Sequence, residues 1–165
     1  MNLQPLFNAS PAIQFHAVSA IVAFVLGGLI LFRRKGGSIH RLLGRVWVFL
    51  MLMVCATAFF IHEIRLWGDW SPIHLLAVST PVMLARAIWL ARHHRISAHR
   101  KTMQSVYLGA LVLAGLFTFL PGRIMHSVLV EPLTRHSGIA GPVLGLVFAC
   151  ALSASLLAIW RVKRN

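Results

Sequence analysis

The chain has 165 residues, 58% of them hydrophobic and only 12% charged, with a mean hydropathy of +0.79. A soluble domain carries about a quarter charged residues, so most of this chain belongs in lipid. The formal charge of +13 excludes a nucleic-acid surface by its distribution, because the basic residues fall in short clusters between long apolar runs.

A bilayer core of about 30 Å takes roughly 20 helical residues. Five stretches meet or approach that length, at residues 12–32, 46–61, 73–91, 103–120 and 139–160. The second is short, and Leu42, Leu43 and Ile64 extend it. Each must be helical, since lipid offers its backbone no other hydrogen-bond partner. The expected fold is therefore an all-α integral membrane protein with five transmembrane helices in one membrane domain, 1–165. The first run lacks a preceding basic region and does not read as a cleaved signal.

Taken in chain order, Ser10-Pro11 reads as an N-cap and first-turn proline ahead of the first span. The connector after it holds Arg33, Arg34, Lys35, Arg41 and Arg45. Cys55, like Cys150, lies inside an apolar run and reads as a small buried hydrophobe. Ser71-Pro72 opens the third span, which contains Pro81, a kink position that frees a backbone carbonyl. Arg86 lies about a turn and a half from that span's basic end, where it can snorkel, although an intramembrane arginine is also a functional candidate. The next connector carries Arg92, Arg95, Arg100 and Lys101; Pro121-Gly122 closes the fourth span; Arg161, Lys163 and Arg164 follow the fifth. In the fifth span Gly138, Gly141, Gly145, Ala149 and Ser153 favour close helix contact, within the bundle or in a homodimer or larger membrane complex.

Twelve connector or tail cations fall on one side against Arg65, Arg123 and Arg135 on the other. The positive-inside rule then sets the amino terminus outside and the carboxyl terminus inside, in the cell inner (plasma) membrane. Glu63, Asp69 and Glu131, the chain's three carboxylates, all fall on the outer side.

The first four spans read as two copies of one hairpin, about 10–65 and 71–123, with the fifth helix at about 139–160 outside the repeat. His16 precedes His40-Arg41 by 24 positions, and His74 precedes His99-Arg100 by 25. The connectors Gly37-Ser38-Ile39-His40-Arg41 and Ile96-Ser97-Ala98-His99-Arg100 also align. The copies share one orientation, so their pseudo-two-fold axis runs along the membrane normal.

Nine histidines stand against three carboxylates. His16, His62, His74, His126 and His136 form an outer tier; His40, His93, His94 and His99 form an inner one. For the loop residues His93, His94 and His136 the plain reading is contact with headgroups or water. For His40 and His99 it is that each His-Arg dipeptide anchors a helix start at the anionic inner leaflet. The repeat favours a second reading, which sets His40 opposite His99 and His16 opposite His74. Facing neutral imidazoles across a four-helix bundle hold a haem b iron, with Arg41, Arg45 and Arg100 neutralising propionates. Two such sites would carry electrons across the membrane, to or from a quinone or a protein redox partner. A competing reading places Zn²⁺ or Cu²⁺ in the outer tier, on His16, His62, His74 and His126 with Glu63 or Asp69. A third is a transport or scaffold subunit without redox chemistry, since no nucleophile motif, phosphate loop or paired carboxylate is present.

The run His40-Arg41-Leu42-Leu43-Gly44-Arg45-Val46-Trp47, then Ser71-Pro72-Ile73-His74-Leu75-Leu76, His99-Arg100 with Met103, and Pro121-Gly122-Arg123 resembles a family of bacterial predicted membrane proteins, domain of unknown function 2306. The resemblance covers roughly residues 16–123 and implies a coherent membrane module without naming an activity. A looser likeness is to cytochrome b561, whose four-helix core holds two bis-histidine haems. Here the candidate ligands lie nearer the helix ends, and His16 sits further past its Ser-Pro pair than His74 does.

Overall fold

The computed structural model describes residues 3–61 and 72–130. His62, Glu63, Asp69, His136 and the fifth apolar stretch, 139–160, lie outside the described residues. Among those residues every regular element is helical. In chain order these are α1 (Gln4–Phe7), α2 (Pro11–Phe32), α3 (Ser38–Ala58), α4 (Pro72–Arg92), α5 (Ile96–Val106), a π-helical stretch Tyr107–Leu113, α6 (Ala114–Phe117) and a π-helical turn His126–Val130. Helices α2, α3 and α4 are each long and apolar enough to cross a bilayer.

Helix α2 starts where the Ser-Pro pair predicts, with Ser10 in extended conformation and Pro11 in the first turn, although the Ser10 side chain makes no capping bond. It ends at the Arg33-Arg34-Lys35 cluster. Helix α3 differs from the expected 46–61, beginning eight residues earlier at Ser38 and ending at Ala58. Arg41 and Arg45 interrupt the apolar pattern but not the backbone ladder, and the true breaker is Gly36 with φ +95°. The helix starting at Ile96 likewise precedes the expected residue 103. Both His-Arg dipeptides therefore sit inside helical first turns.

Ser10–Leu111 form one compact unit, and the described residues before Ser10 and after Leu111 form another. In the first unit the core joins all four helical segments: Ala23 of α2, Trp47 and Met51 of α3, Leu84 of α4, then Val106 and Leu111. Cys55 of α3 and Thr80 of α4 are both buried and lie within interaction range of each other. Outside this seam large apolar side chains point outward, among them Phe15, Val25, Leu29, Phe49, Leu75 and Val82. Such a surface suits lipid and not water. In the second unit α1 packs against the His126–Val130 turn.

Gly27 sets how closely α2 approaches its neighbours. A Cβ built there would fall 2.6 Å from Trp47 Nε1 and 2.7 Å from the Tyr107 ring. Tyr107 donates to the Phe24 carbonyl at 3.0 Å and stacks on the Phe24 ring at 5.8 Å.

Candidate functional site

The histidines of the first unit gather at its two ends. At one end His16 of α2 reaches α3, with Nδ1 at 3.0 Å from the Val54 carbonyl and 3.1 Å from Thr57 Oγ1. His74 of α4 is buried and lies beside Phe59, ring centroids 6.4 Å apart. Both therefore pack on the last turns of α3. At the opposite end His99 of α5 places Nδ1 at 2.8 Å from the Ala87 carbonyl of α4. His40 lies within electrostatic range of His99, Lys35 and Arg41. His40 and His99 each lie in the first turn of a helix, α3 and α5 respectively.

The protonation of these rings follows from their partners. A backbone carbonyl only accepts, so the nitrogen facing it must carry the proton. His16 and His99 accordingly bear hydrogen on Nδ1, which in the neutral ring leaves the lone pair on Nε2. His126 in the second unit has the same tautomer, donating to the Phe119 carbonyl at 2.9 Å. A carbonyl bonded to Nδ1–H fixes the ring and can orient an imidazole toward a metal through Nε2. His40 differs, because its Nδ1 is buried without a hydrogen-bond partner.

Arg41, Arg45 and Arg100 are exposed at the same end as His40 and His99. Arg41 folds back, its Nη1 donating to the Gly36 carbonyl at 3.2 Å. His93 is explained by its own helix: it stacks on Trp89 at 4.2 Å and donates to the Trp89 carbonyl. His94 closes α4 as the residue of positive φ, +57°. Among the described residues no three His, Cys, Asp or Glu side chains converge on a point where a metal ion could sit. His16, His74 and His126 of the metal reading are described; its His62, Glu63 and Asp69 are not.

Thr57 and the Ala87 carbonyl, which orient His16 and His99, were not visible as site residues, since their role depends on how helices rotate against one another. A further feature is a recess of about 320 Å³ at the α2–α3 connector, lined by Arg33, Arg34, Lys35 and His40 among others. A second, more open recess lies at the α4–α5 connector, lined by His94, Arg95, Ser97 and Lys101.

Residues 13–152 match the DUF2306 family, described as a predicted membrane protein. The chain belongs to that family. The matched stretch of this DUF2306 protein takes in His16, His40, His74 and His99 together. No curated protein and no solved structure matches it, and the likeness to cytochrome b561 is not carried by these findings.

Proposed function

We propose that this DUF2306 protein is a five-span carrier of electrons, amino terminus outside, which holds haem b on His40 and His99 at the inner end and on His16 and His74 at the outer end. The observation behind this reading is the tautomer pattern: His16 and His99, one in each tier, donate Nδ1–H to a carbonyl of the neighbouring helix. An imidazole so held presents Nε2 as a neutral, oriented ligand and loses little freedom on ligation. His40 lies within electrostatic range of His99, and both occupy the first turns of the helices that follow the two connectors.

Bound haem would supply one-electron chemistry, and the chain's part is to orient and to insulate. Trp47, Met51 and Leu84 close the core between the tiers, so a haem held by either histidine pair would lie toward an end of the bundle. Arg41, Arg45 and Arg100 at the inner end would neutralise propionates. The near absence of carboxylates suits such a task, because electron transfer needs no general acid or base. The fourth span runs from α5 through the π-helical stretch, and the fifth is 139–160.

The absorption spectrum of the purified protein tests the proposal. A Soret band with a split α band is expected, and His99→Ala should remove one component. An unchanged spectrum in that variant rejects the inner ligand assignment. A colourless preparation carrying zinc or copper moves the assignment to the outer histidines with His62, Glu63 and Asp69. A colourless, metal-free protein rejects both and leaves the transport or scaffold reading.

A further inference from the structure

We propose that the recess at the α2–α3 connector is a binding site for a phosphate group, carried either by a lipid headgroup or by a free phosphate ion. The proposal goes beyond haem and does not depend on it. Arg33, Arg34 and Lys35 all line this recess of about 320 Å³, together with His40. No carboxylate offsets them nearby in the sequence, the chain's three being Glu63, Asp69 and Glu131. His40 also keeps a buried Nδ1 without a partner. Three cations and an imidazole around one concavity, with no counter-charge among the described residues, describe a site completed by an anion.

The backbone adds to this. Gly37, Ser38 and Ile39 of the α3 start form part of the wall. No side chain caps that helix, and its first turn holds no acidic residue. Its free N–H groups and the positive end of its dipole are therefore available to oxygen acceptors. Arginine contributes paired donors that match two phosphate oxygens, while lysine adds a point charge.

The construction occurs twice. Ser97, the counterpart of Ser38 in the repeat, lines the more open recess at the α4–α5 connector with Arg95 and Lys101. The α5 start also lacks a side-chain cap. The α2–α3 recess, with more cations and a more enclosed shape, is the one assigned the tighter binding.

The test uses the full chain in a zwitterionic detergent, titrated with inorganic phosphate by calorimetry. In parallel it is reconstituted into nanodiscs of phosphatidylcholine with or without phosphatidic acid, and retained lipid is counted by native mass spectrometry. Saturable binding in at least one arm is expected, weakened about tenfold in R33Q/R34Q through loss of charge-assisted bonds. K163Q/R164Q removes equal charge from the carboxyl-terminal tail and should leave affinity within about twofold. Phosphate binding alone identifies a soluble anion; retention of phosphatidic acid alone identifies a headgroup. If R33Q/R34Q is not recovered, Lys35→Gln should weaken binding in the same direction while keeping four of the connector's five cations. No binding in either arm, or an equal loss in the tail variant, overturns the proposal.

Discussion

Trp47 Nε1 donates a 2.8 Å hydrogen bond to the Ala23 carbonyl, joining α3 to α2 inside the core. The bond exists because Gly27, one turn further along α2, leaves room for the indole. Gly27→Ala should force the Trp47 and Tyr107 rings aside, costing about 1–3 kcal/mol by overpacking. Gly44→Ala is the control, since nothing lies within 4 Å of a Cβ there, and it should be neutral or slightly stabilising. Thermal unfolding in detergent compares the two; equal melting temperatures would show that Gly27 does not set the helix approach.

The end of α4 carries a removable strain. Arg95 N–H bonds the Leu90 carbonyl at 2.9 Å and His94 N–H bonds the Ala91 carbonyl at 3.2 Å, the pairing of a Schellman turn. Its left-handed position usually belongs to glycine, yet here it is His94 at φ +57°. The left-handed conformation costs an L-residue about 1–2 kcal/mol, and glycine returns about 0.5–1 kcal/mol of that as extra chain entropy. His94→Gly should therefore stabilise the protein by about 0.5–1 kcal/mol. A lower melting temperature would mean that the ring itself contributes a contact at the α4–α5 connector.

The limits of α2 and α4 were legible because proline opens each and a basic cluster closes each. The starts of α3 and α5 were not, since Arg41, Arg45, Arg100 and Lys101 break the apolar pattern while leaving the backbone ladder intact. Composition marks where side chains prefer lipid, whereas a helix continues until glycine or a turn stops it. The π-helical stretch Tyr107–Leu113 has no local signal, its residues reading as ordinary apolar helix. The place of His40 and His99 in the first turns of α3 and α5 agrees with the matching Ser38-Ile39-His40-Arg41 and Ser97-Ala98-His99-Arg100 connectors. The bond from His16 to Val54 could not be anticipated, because it depends on the rotation of α2 about its axis.

That bond gives the outer tier its own test. Thr57 Oγ1 donates to the Met53 carbonyl at 2.7 Å and shares the His16 proton with the Val54 carbonyl. Thr57→Val keeps the shape and removes one of two acceptors, so His16 becomes a slightly less basic ligand. On the haem reading the outer component should then rise in midpoint potential by about 20 mV, a weak hydrogen bond's worth for one electron. The inner component should not move. A redox titration followed by absorbance separates them, and equal shifts in both would remove His16 from the ligand set.

Orientation is open to a direct measurement. Asn8 and Ser97 are both exposed, and α2, α3 and α4 lie between them, so crossing by all three puts the two residues on opposite faces. Which face is outer depends on the basic clusters, each lysine or arginine near an anionic surface being worth about 1 kcal/mol. If the five-span reading holds, twelve cations face one side and three the other, a bias that single charge changes cannot reverse. In a background lacking Cys55 and Cys150, Asn8→Cys should react with an impermeant maleimide on intact cells. Ser97→Cys should react only after the cells are opened. Labelling of both from outside would show that one of the three helices fails to cross, and the reverse pattern would overturn the charge rule for this chain.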